Sequence, residues 1–342
     1  MKGAIDCDVH CAPETIGALT PYFDDYWRDY TENAGLQLNP TLWGAYPPAA
    51  GPAAPADAET LATQLLDPGE LRYAVLNCVS AFDVSRNVYY EAAITKAIND
   101  WLRAEWLDRD DRLRASLVLP TLDPEAAVAE IERLGDDKRF VQVLLPVRSE
   151  TPWGNKRFHP IYEAAERHGL VVGLHAWGRP AGAASSSGFA HSYLEDYLGN
   201  SLIIAQGQVL SLVSEGVFDR FPKLRVCLLE CGFSWLPFLL WRFDKDWKAV
   251  WREVPWLKSK PSEYVQRHFR VTTAPAALPR DPAQVGELAE MLGARDLLMY
   301  ASDHPHEHGD GVQPLLDTLD AEGRDAVLYG NAAELYSLAT GK

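Results

Sequence analysis

The chain has 342 residues, of which 47% are apolar and 23% are charged, proportions that are typical of folded globular proteins. Its formal net charge of −16 excludes a general affinity for nucleic acid or anionic membrane, because such partners require basic patches and the chain has no cluster of Lys and Arg. No apolar run approaches the roughly 20 residues that span a bilayer, the first residues contain no apolar signal core, and the five cysteines are thinly spread, so we expect a cytoplasmic protein.

Eight short runs rich in apolar and β-branched residues predict eight β-strands. They fall at 4–10, 73–79, 115–119, 141–145, 171–175, 225–230, 269–273 and 297–302. Amphipathic segments such as "PEAAVAEIERLG" and "FHPIYEAAERHG" lie between them and predict helices, several of which end at a glycine. Because strands that alternate with helices form βα units, the pattern indicates a parallel sheet. Eight such units predict a closed (β/α)8 TIM barrel of the α/β class.

The segment between the first two predicted strands is longer than a barrel connection requires. Residues 21–67 include the stretch "YPPAAGPAAPADA", whose Pro- and Ala-rich composition is unsuited to a regular packed element. We therefore predict an insertion, or lid, over the barrel mouth of a single domain that spans residues 1–342. A doubly wound open sheet is the alternative architecture, and it is disfavoured because no glycine-rich turn follows the first strand.

Several ionisable side chains stand at the carboxyl ends of these strands, where barrel enzymes carry out their chemistry. Strand alternation puts Asp8 and His10 on one face of the first strand. It gives His175, Glu230 and Asp303 the equivalent place on the fifth, sixth and eighth strands. An ionised group away from water must be paired or bound to a cation. All of these except Glu230 together offer two carboxylates and two imidazoles, a plausible ligand set for one divalent metal with room for a water molecule.

The cysteines of the first and sixth strands have the opposite parity. Alternation predicts that Cys7, Cys11, Cys227 and Cys231 face the surrounding helices. We interpret them as small buried apolar side chains in preference to a four-thiolate metal site.

Five short motifs, in this order and at this spacing, resemble those of a known family. They are "DVH" at 8–10, "GLHAWG" around His175, "FPKLRVCLLECGFSWLPFLLWRFD" from Phe221, "YASDHPH" from Tyr300 and "GNAAELYSL" from Gly330. Over most of its length the chain is similar to the amidohydrolase superfamily, and more closely to the amidohydrolase-related branch that includes aminocarboxymuconate semialdehyde decarboxylase and the resorcylate-type decarboxylases. The resemblance implies a distorted (β/α)8 barrel with one divalent metal, zinc or manganese, at the strand ends.

The resemblance also identifies two departures from the family pattern. The fifth-strand histidine of the family matches His175, and the eighth-strand aspartate matches Asp303. The first-strand motif of the family is commonly His-x-His or Glu-x-His, whereas here Asp8 precedes His10 and is shorter than Glu. The family's sixth-strand histidine, which assists proton transfer or water activation, is replaced by Glu230. A carboxylate can do acid–base work if burial raises its pKa.

We expect these residues to form a metal-dependent hydrolase that acts on a small amide, lactone or other cyclic carbonyl compound. The metal would lower the pKa of its bound water and polarise the substrate carbonyl. Asp303 would take the proton of that water and pass it to the leaving group, and Glu230 would assist it.

Two other functions remain open from the sequence. One is a metal-dependent non-oxidative decarboxylase of an aromatic or unsaturated carboxylic acid, in which Trp177, Arg179 and His306 would contact the substrate. The other is a barrel that binds a small molecule without catalysis. Finally, several aromatic side chains recur at helical spacing in "FSWLPFLLWRFDKDW", which predicts a homodimer or a higher homo-oligomer.

Overall fold

Eight parallel strands form the centre of the computed structural model, which describes residues 1–34, 38, 54–81, 85–178, 192–309 and 311–339. The strands are β1 (Ile5–His10), β2 (Tyr73–Asn77), β3 (Leu113–Val118), β4 (Phe140–Arg148), β5 (Val171–Gly178), β6 (Val226–Leu229), β7 (Phe269–Thr272) and β8 (Leu298–Met299). Each overlaps one of the predicted runs. β8 is shorter than predicted because the backbone then finds partners outside the sheet, beginning with the bond from the Tyr300 N–H to the Val327 carbonyl at 2.9 Å.

Neighbouring strands pair in chain order from β1 to β8. The ring closes where the segment after β8 meets β1. The Cys7 N–H donates to the Tyr300 carbonyl and the Asp303 N–H donates to the Asp8 carbonyl, both at 3.0 Å. This arrangement confirms the predicted (β/α)8 barrel and excludes the open-sheet alternative.

Helices alternate with these strands. The longer ones are Asp25–Ala34, Val88–Leu102, Pro124–Leu134, His159–His168, Ala205–Ser214, Leu236–Val250, Pro261–His268 and Pro282–Leu292. The shorter ones are Ala58–Leu61, Asp67–Gly69, Tyr193–Leu198, Val217–Arg220, Ala294–Leu297, Gln313–Leu316, Ala321–Asp325 and Asn331–Leu335. Short 3-10 or π turns cover Ile16–Tyr22, Ala62–Leu66, Val79–Ala81, Arg103–Leu107, Lys156–Phe158, Gly199–Ile204, Trp251–Glu253 and Ala326–Gly330. Within the described ranges, none of the helices has both the length and the apolar character needed to cross a bilayer.

Local sequence explains where the outer helices begin and which face they bury. The helix Pro124–Leu134 starts after Asp123, whose carboxylate accepts hydrogen bonds from the two N–H groups of residues 125 and 126, at 3.0 and 3.3 Å. Pro124 suits the first helical position, where no N–H partner is needed. In the helix Val88–Leu102, the side chains of Ile94, Ile98 and Trp101 recur at helical spacing and are buried in the core.

The described parts of the predicted insertion pack on the barrel. On the helix Asp25–Ala34, the Thr31 hydroxyl lies 2.9 Å from the Tyr90 hydroxyl, and the Trp27 ring centroid lies 5.5 Å from that of Tyr90. The Ala12 N–H, just after β1, donates to the Pro55 carbonyl at 3.2 Å. Positions 35–37 and 39–53, which include much of the Pro- and Ala-rich stretch, lie outside the described residues, so the lid remains a prediction.

Candidate active site

The first strand carries an irregularity next to its two candidate ligands. Asp6 pairs with Ala74 of β2 and Val9 pairs with Leu76, so β1 contains one more residue than its neighbour over this interval. Such a bulge interrupts alternation and re-aims side chains, and bulges are common beside active sites. Asp8 lies within this interval and its side chain is fully buried.

Three side chains from β1 and β5 converge at the carboxyl ends of these strands. One potential ligand atom from each of Asp8, His10 and His175 lies within 4.8 Å of the other two, and all three residues are buried. The His175 Nε2 atom lies 3.3 Å from Asp8 Oδ1. Burial alone would lower the pKa of His175, but the Asp8 carboxylate outweighs it and raises this pKa to about 9. The cluster therefore attracts positive charge.

The Asp303 carboxylate lies at the centre of a second group of histidines. It accepts a hydrogen bond from His10 Nε2 at 2.6 Å and one from His306 Nδ1 at 3.2 Å, and it also contacts His308 Nε2. Asp303 is fully buried and has a left-handed φ of 59°. Burial would raise the pKa of Asp303, but the three imidazoles outweigh it and hold this pKa well below its usual range. Asp303 is therefore an ionised carboxylate that joins His10 to the two histidines of the following loop.

Glu230 completes the cluster, although not by the alternation predicted for it. In the register of β5 and β6, Leu229 pairs with His175. Paired residues of neighbouring strands project to the same face, so Leu229 faces the interior and Glu230 would point outward if the strand continued. The chain instead leaves the sheet at Glu230 with a left-handed φ of 54°. Its Oε2 atom consequently lies 3.9 Å from His175 Nδ1.

The environment of Glu230 favours its neutral, protonated form. The residue is 2% exposed. Burial raises the pKa of the Glu230 carboxyl well above its usual value, and the neighbouring Asp303 and Asp8 carboxylates raise it further. One ligand atom each of Glu230, Asp303 and His308 lies within 4.8 Å of the other two. The site thus places a carboxyl group with a raised pKa beside one with a lowered pKa, an arrangement that suits proton transfer.

The structure corrects the prediction for two cysteines, Cys7 and Cys227, whose thiols interact with each other and with Tyr336 inside the barrel. Cys227 pairs with Gly173, which precedes His175 by two residues on β5. Cys227 therefore faces the barrel interior, and the prediction that these two cysteines pack under the helices is wrong. The Cys227 thiol lies near Tyr336, a buried residue whose pKa is raised well above its usual value by burial and by that thiol.

The three predicted substrate contacts, His306, Trp177 and Arg179, differ in how far the structure describes them. His306 stands over His10, with ring centroids 4.6 Å apart, and its side chain is 38% exposed, so it borders the mouth of the site. Trp177 belongs to β5, and Arg179 lies outside the described residues. Sequence reasoning did not include His308 in the site, although the histidines at every second position of "HPHEHGD" are a signal that could have identified it. It also missed Asn77, which ends β2 and donates to Asp8 Oδ1 at 2.8 Å.

A cleft of about 220 Å³ opens at the carboxyl end of β4. Its walls include the arginines 86, 148 and 157 together with Glu150 and Phe158. Arg86 is paired with Glu150, and the Arg157 guanidinium lies 5.2 Å from the centre of the Phe158 ring. The cleft places positive charge at the same end of the barrel as the histidine and carboxylate cluster, in a chain that is otherwise acidic.

The donor cluster fits a divalent cation. Asp8 Oδ2, His175 Nε2 and Glu230 Oε2 are buried atoms without a hydrogen-bond partner among the residues that the structure describes. Buried polar atoms are usually satisfied, so such a concentration calls for an explanation. A cation held by the Asp8 and Asp303 carboxylates and by the His10 and His175 imidazoles would satisfy the first two of these atoms. Mixed nitrogen and oxygen donors suit zinc or manganese.

The chain forms a barrel of eight parallel strands, with histidines and carboxylates clustered at the carboxyl ends of the strands. This arrangement is typical of metal-dependent barrel enzymes. The chain belongs to the amidohydrolase family, because the family model described as amidohydrolase matches residues 5–338.

The chain is similar to two curated gamma-resorcylate decarboxylases. It is 28% identical to the one from Rhizobium sp. (strain MTP-10005) over 260 residues, which cover 72% of this chain and 76% of the relative. It is 29% identical to the one from Rhodococcus jostii (strain RHA1) over 263 residues, which cover 72% and 77%. Among solved structures, the dihydroxybenzoic acid decarboxylase of Polaromonas sp. JS666, with bound manganese and the inhibitor 2-nitroresorcinol, superposes with a TM-score of 0.70 at 21% identity over 99% of this chain and 98% of that one.

These relatives overturn the principal functional prediction. The chain was expected to be a hydrolase of an amide, lactone or cyclic carbonyl compound, whereas the curated relatives are named decarboxylases. The hydrolase prediction is wrong. Its physical weakness was that a metal, a carboxylate and a nearby acid serve either reaction, so the ligand residues alone do not distinguish them.

Proposed function

We propose that this protein is a metal-dependent, non-oxidative decarboxylase of a hydroxylated aromatic carboxylic acid. The observation that carries the proposal is the buried donor cluster of Asp8, His10 and His175, which stands beside the buried acid Glu230. The names of the curated relatives support the reaction class, and the resorcinol inhibitor in the Polaromonas structure supports a phenolic substrate.

The metal ligands that we propose are Asp8, His10, His175 and Asp303, and the metal that we propose is manganese, which the Polaromonas structure contains. When bound, the divalent cation supplies positive charge that anchors the substrate carboxylate and an adjacent hydroxyl. Asp303 orients His10 and His308 through the hydrogen bonds of its two oxygens. Because those imidazoles keep Asp303 ionised, we assign it to the ligand set and not to proton donation.

Glu230 is the residue that we assign as proton donor. The Glu230 Oε2 atom has no hydrogen-bond partner among the described residues, so its carboxyl group is free to approach the substrate. The proton of this group passes to the ring carbon that bears the carboxylate. A carbon–hydrogen bond forms, and the carbon–carbon bond to the carboxylate breaks. The electron pair of that bond returns to the ring and restores its aromaticity as carbon dioxide leaves. Glu230 is left ionised between two other carboxylates, so it recovers a proton from solvent readily.

The substrate contacts remain those proposed from the sequence. His306 borders the mouth and offers a ring nitrogen within reach of the cluster. Trp177 and Arg179 follow His175 along the chain, and we propose that they clamp the aromatic ring and a negative group of the substrate.

The experiment that tests the function measures carbon dioxide release from a panel of hydroxybenzoates. We expect the manganese-loaded enzyme to decarboxylate a benzoate with a hydroxyl next to the carboxylate, such as 2,6-dihydroxybenzoate. We expect no carbon dioxide release from benzoate itself. A chelator should abolish the activity, and added manganese should restore it. The variant His175→Ala should be inactive, whereas His168→Ala, which alters a histidine at the end of the helix His159–His168 that is paired with Glu132, should retain activity. Failure of the metal-loaded enzyme to release carbon dioxide from any hydroxybenzoate would refute the proposal.

We also propose that the protein is a homodimer or a higher homo-oligomer. On the helix Leu236–Val250, Phe238 is 67% exposed and Trp241 is 61% exposed, and Trp251 follows at 46%. Clustered exposed aromatic side chains of this kind are characteristic of protein interfaces. Light scattering after size exclusion should find the oligomer in the wild type, a smaller species for Trp241→Glu, and no change for Met291→Glu, which alters a comparably exposed side chain on the helix Pro282–Leu292. A monomeric wild type would exclude this proposal.

A further inference from the structure

We infer that Asn77 is a positioning residue of the metal site, which acts through Asp8 and is itself held by a hydrogen-bonded chain that crosses the barrel interior. The inference rests on the metal site of the proposed function. Asn77 Nδ2 donates to Asp8 Oδ1 at 2.8 Å, and both side chains are fully buried. The other oxygen of this carboxylate, Asp8 Oδ2, has no hydrogen-bond partner in the part of the chain that the structure describes.

The orientation of the Asn77 amide is determined by its neighbours. Its Oδ1 atom accepts a hydrogen bond from the Ser116 hydroxyl at 2.5 Å and one from Gln142 Nε2 at 3.2 Å. The amide nitrogen must therefore face Asp8, because a flipped amide would bring two acceptor oxygens together at Asp8 and two amide nitrogens together at Gln142. Asn77 consequently holds Oδ1 and leaves Oδ2 available for the cation.

The chain of hydrogen bonds continues to the carboxyl-terminal segment. Gln142 Nε2 also donates to the Ser116 hydroxyl at 2.8 Å, and the Tyr336 hydroxyl donates to Gln142 Oε1 at 2.9 Å. We call Asn77, Ser116, Gln142 and Tyr336 the Asn77 network. Its first three members lie on β2, β3 and β4, the three strands that follow β1 in the sheet, and each donor is directed to the next member on the side of Asp8.

A polar network of this kind is unusual inside a barrel. Barrel interiors are filled mainly by branched apolar side chains, and a buried polar group is costly unless its hydrogen bonds are complete. In this chain Asn77, Ser116 and Gln142 are completely buried and Tyr336 is nearly so. Stability alone would be served as well by apolar residues at these positions, whereas orientation of a metal ligand requires a fixed donor beside it.

The network has a particular consequence for an aspartate ligand. Asp8 Oδ1 lies between the Asn77 amide and His175 Nε2, at 2.8 and 3.3 Å. Without the Asn77 donor, this oxygen would be free to turn toward the imidazole, and Oδ2 would lose its defined direction. Asn77 therefore sets which oxygen of this short side chain reaches the cation.

The test compares manganese affinity in Asn77→Ala with that in Asn99→Ala, by competition with a fluorescent chelator in the absence of substrate. Asn99 is the matched control because it is an equally buried asparagine whose Nδ2 donates to the Val118 carbonyl at 2.9 Å and to Glu130 at 2.8 Å. We expect Asn77→Ala to weaken manganese binding by about 10- to 100-fold, as loss of a partner of a metal ligand commonly does. We expect Asn99→Ala to lower thermal stability while it leaves manganese affinity unchanged.

A gentler variant keeps the inference testable if Asn77→Ala does not fold. Tyr336→Phe removes only the hydroxyl at the far end of the network, and we expect a smaller loss of manganese affinity in the same direction. Manganese affinity equal to that of the wild type in the folded variants, or an equal loss in Asn99→Ala, would overturn the inference. Because binding is measured without turnover, a wild type that binds manganese but releases no carbon dioxide would refute the proposed reaction and leave this inference standing.

Discussion

Replacement of Glu230 by glutamine should separate the catalytic role of this side chain from its effect on stability. Glutamine has nearly the same shape, so the buried position keeps its packing while it loses the transferable proton. A positioned acid or base contributes about 10²- to 10⁴-fold to a rate, which is about 3–5 kcal/mol of activation free energy. We expect kcat for decarboxylation to fall by that factor, whereas KM and manganese affinity change little, because the metal ligands that we propose are untouched.

In the metal-free protein, the same Glu230→Gln substitution should raise the free energy of unfolding. The Glu230 pKa is raised above its ordinary value of 4.5 in the folded state. Above about pH 4.5 the unfolded chain releases this proton while the folded protein retains it, so the free energy of unfolding falls as pH rises toward the folded pKa. One retained proton corresponds to a slope of about 1.4 kcal/mol per pH unit. Glutamine does not ionise, so it causes no such loss of stability with pH. Glu230→Gln should therefore become progressively more stable than the wild type as pH rises from about 4.5 toward the folded pKa of Glu230.

The assay is urea denaturation of chelator-treated protein at several pH values, together with steady-state kinetics of the manganese-loaded enzyme. Glu130→Gln is the control, since Glu130 is also buried but accepts hydrogen bonds from Arg133 at 2.7 and 2.8 Å. That variant should lose stability and retain kcat. The reasoning is refuted if Glu230→Gln keeps the kcat of the wild type, or if its metal-free form is the less stable of the two at pH 8.

Three further predictions concern the mouth of the site and the barrel that supports it. His306→Ala should raise KM for a hydroxybenzoate about tenfold, the equivalent of one hydrogen bond to a charged group, and an unchanged KM would remove His306 from the substrate contacts. Asp123→Ala should lower the free energy of unfolding by about 1 kcal/mol through loss of the helix cap, and urea denaturation with an unchanged midpoint would contradict this. Gly154→Ala should destabilise by about 1–3 kcal/mol, because its Cβ would stand 2.2 Å from the Ser211 carbonyl oxygen. Gly207→Ala, whose Cβ meets nothing within 4 Å on its helix, should instead stabilise by about 0.5–1 kcal/mol, and equal midpoints for the two variants would argue against the clash.

The strand positions and the polar residues at their ends could be read from the amino-acid sequence. A parallel strand that is buried on both faces must be a nearly continuous apolar run, so the eight runs stood out from the helices between them. Asp8, His10, His175 and Asp303 interrupt or follow such runs, and an ionisable residue at the end of a buried strand needs a partner or a cation. The structure brings these four side chains together, and their roles as ligands remain proposals.

The reaction could not be chosen from these residues, because a cation beside carboxylates serves hydrolysis and decarboxylation alike. The relatives of the chain, and not its ligand pattern, overturned the hydrolase prediction.

Tertiary structure determined the direction of the side chains at the points where the regular inward and outward alternation of a strand ends. The bulge in β1 arises from the pairing of β1 with β2, and the left-handed residue Glu230 marks the point where β6 stops. Neither feature has a signature in the local sequence, so alternation assigned Glu230 and Cys227 to faces that the β5–β6 register contradicts. The donor at Asp8 was also hidden, because Asn77 reaches this carboxylate only when β2 packs beside β1. His308, in contrast, follows Asp303 by five residues, and its contact arises from the local fold of that loop. Local apolar patterning therefore determined the barrel, whereas long-range strand register determined the chemistry at its mouth.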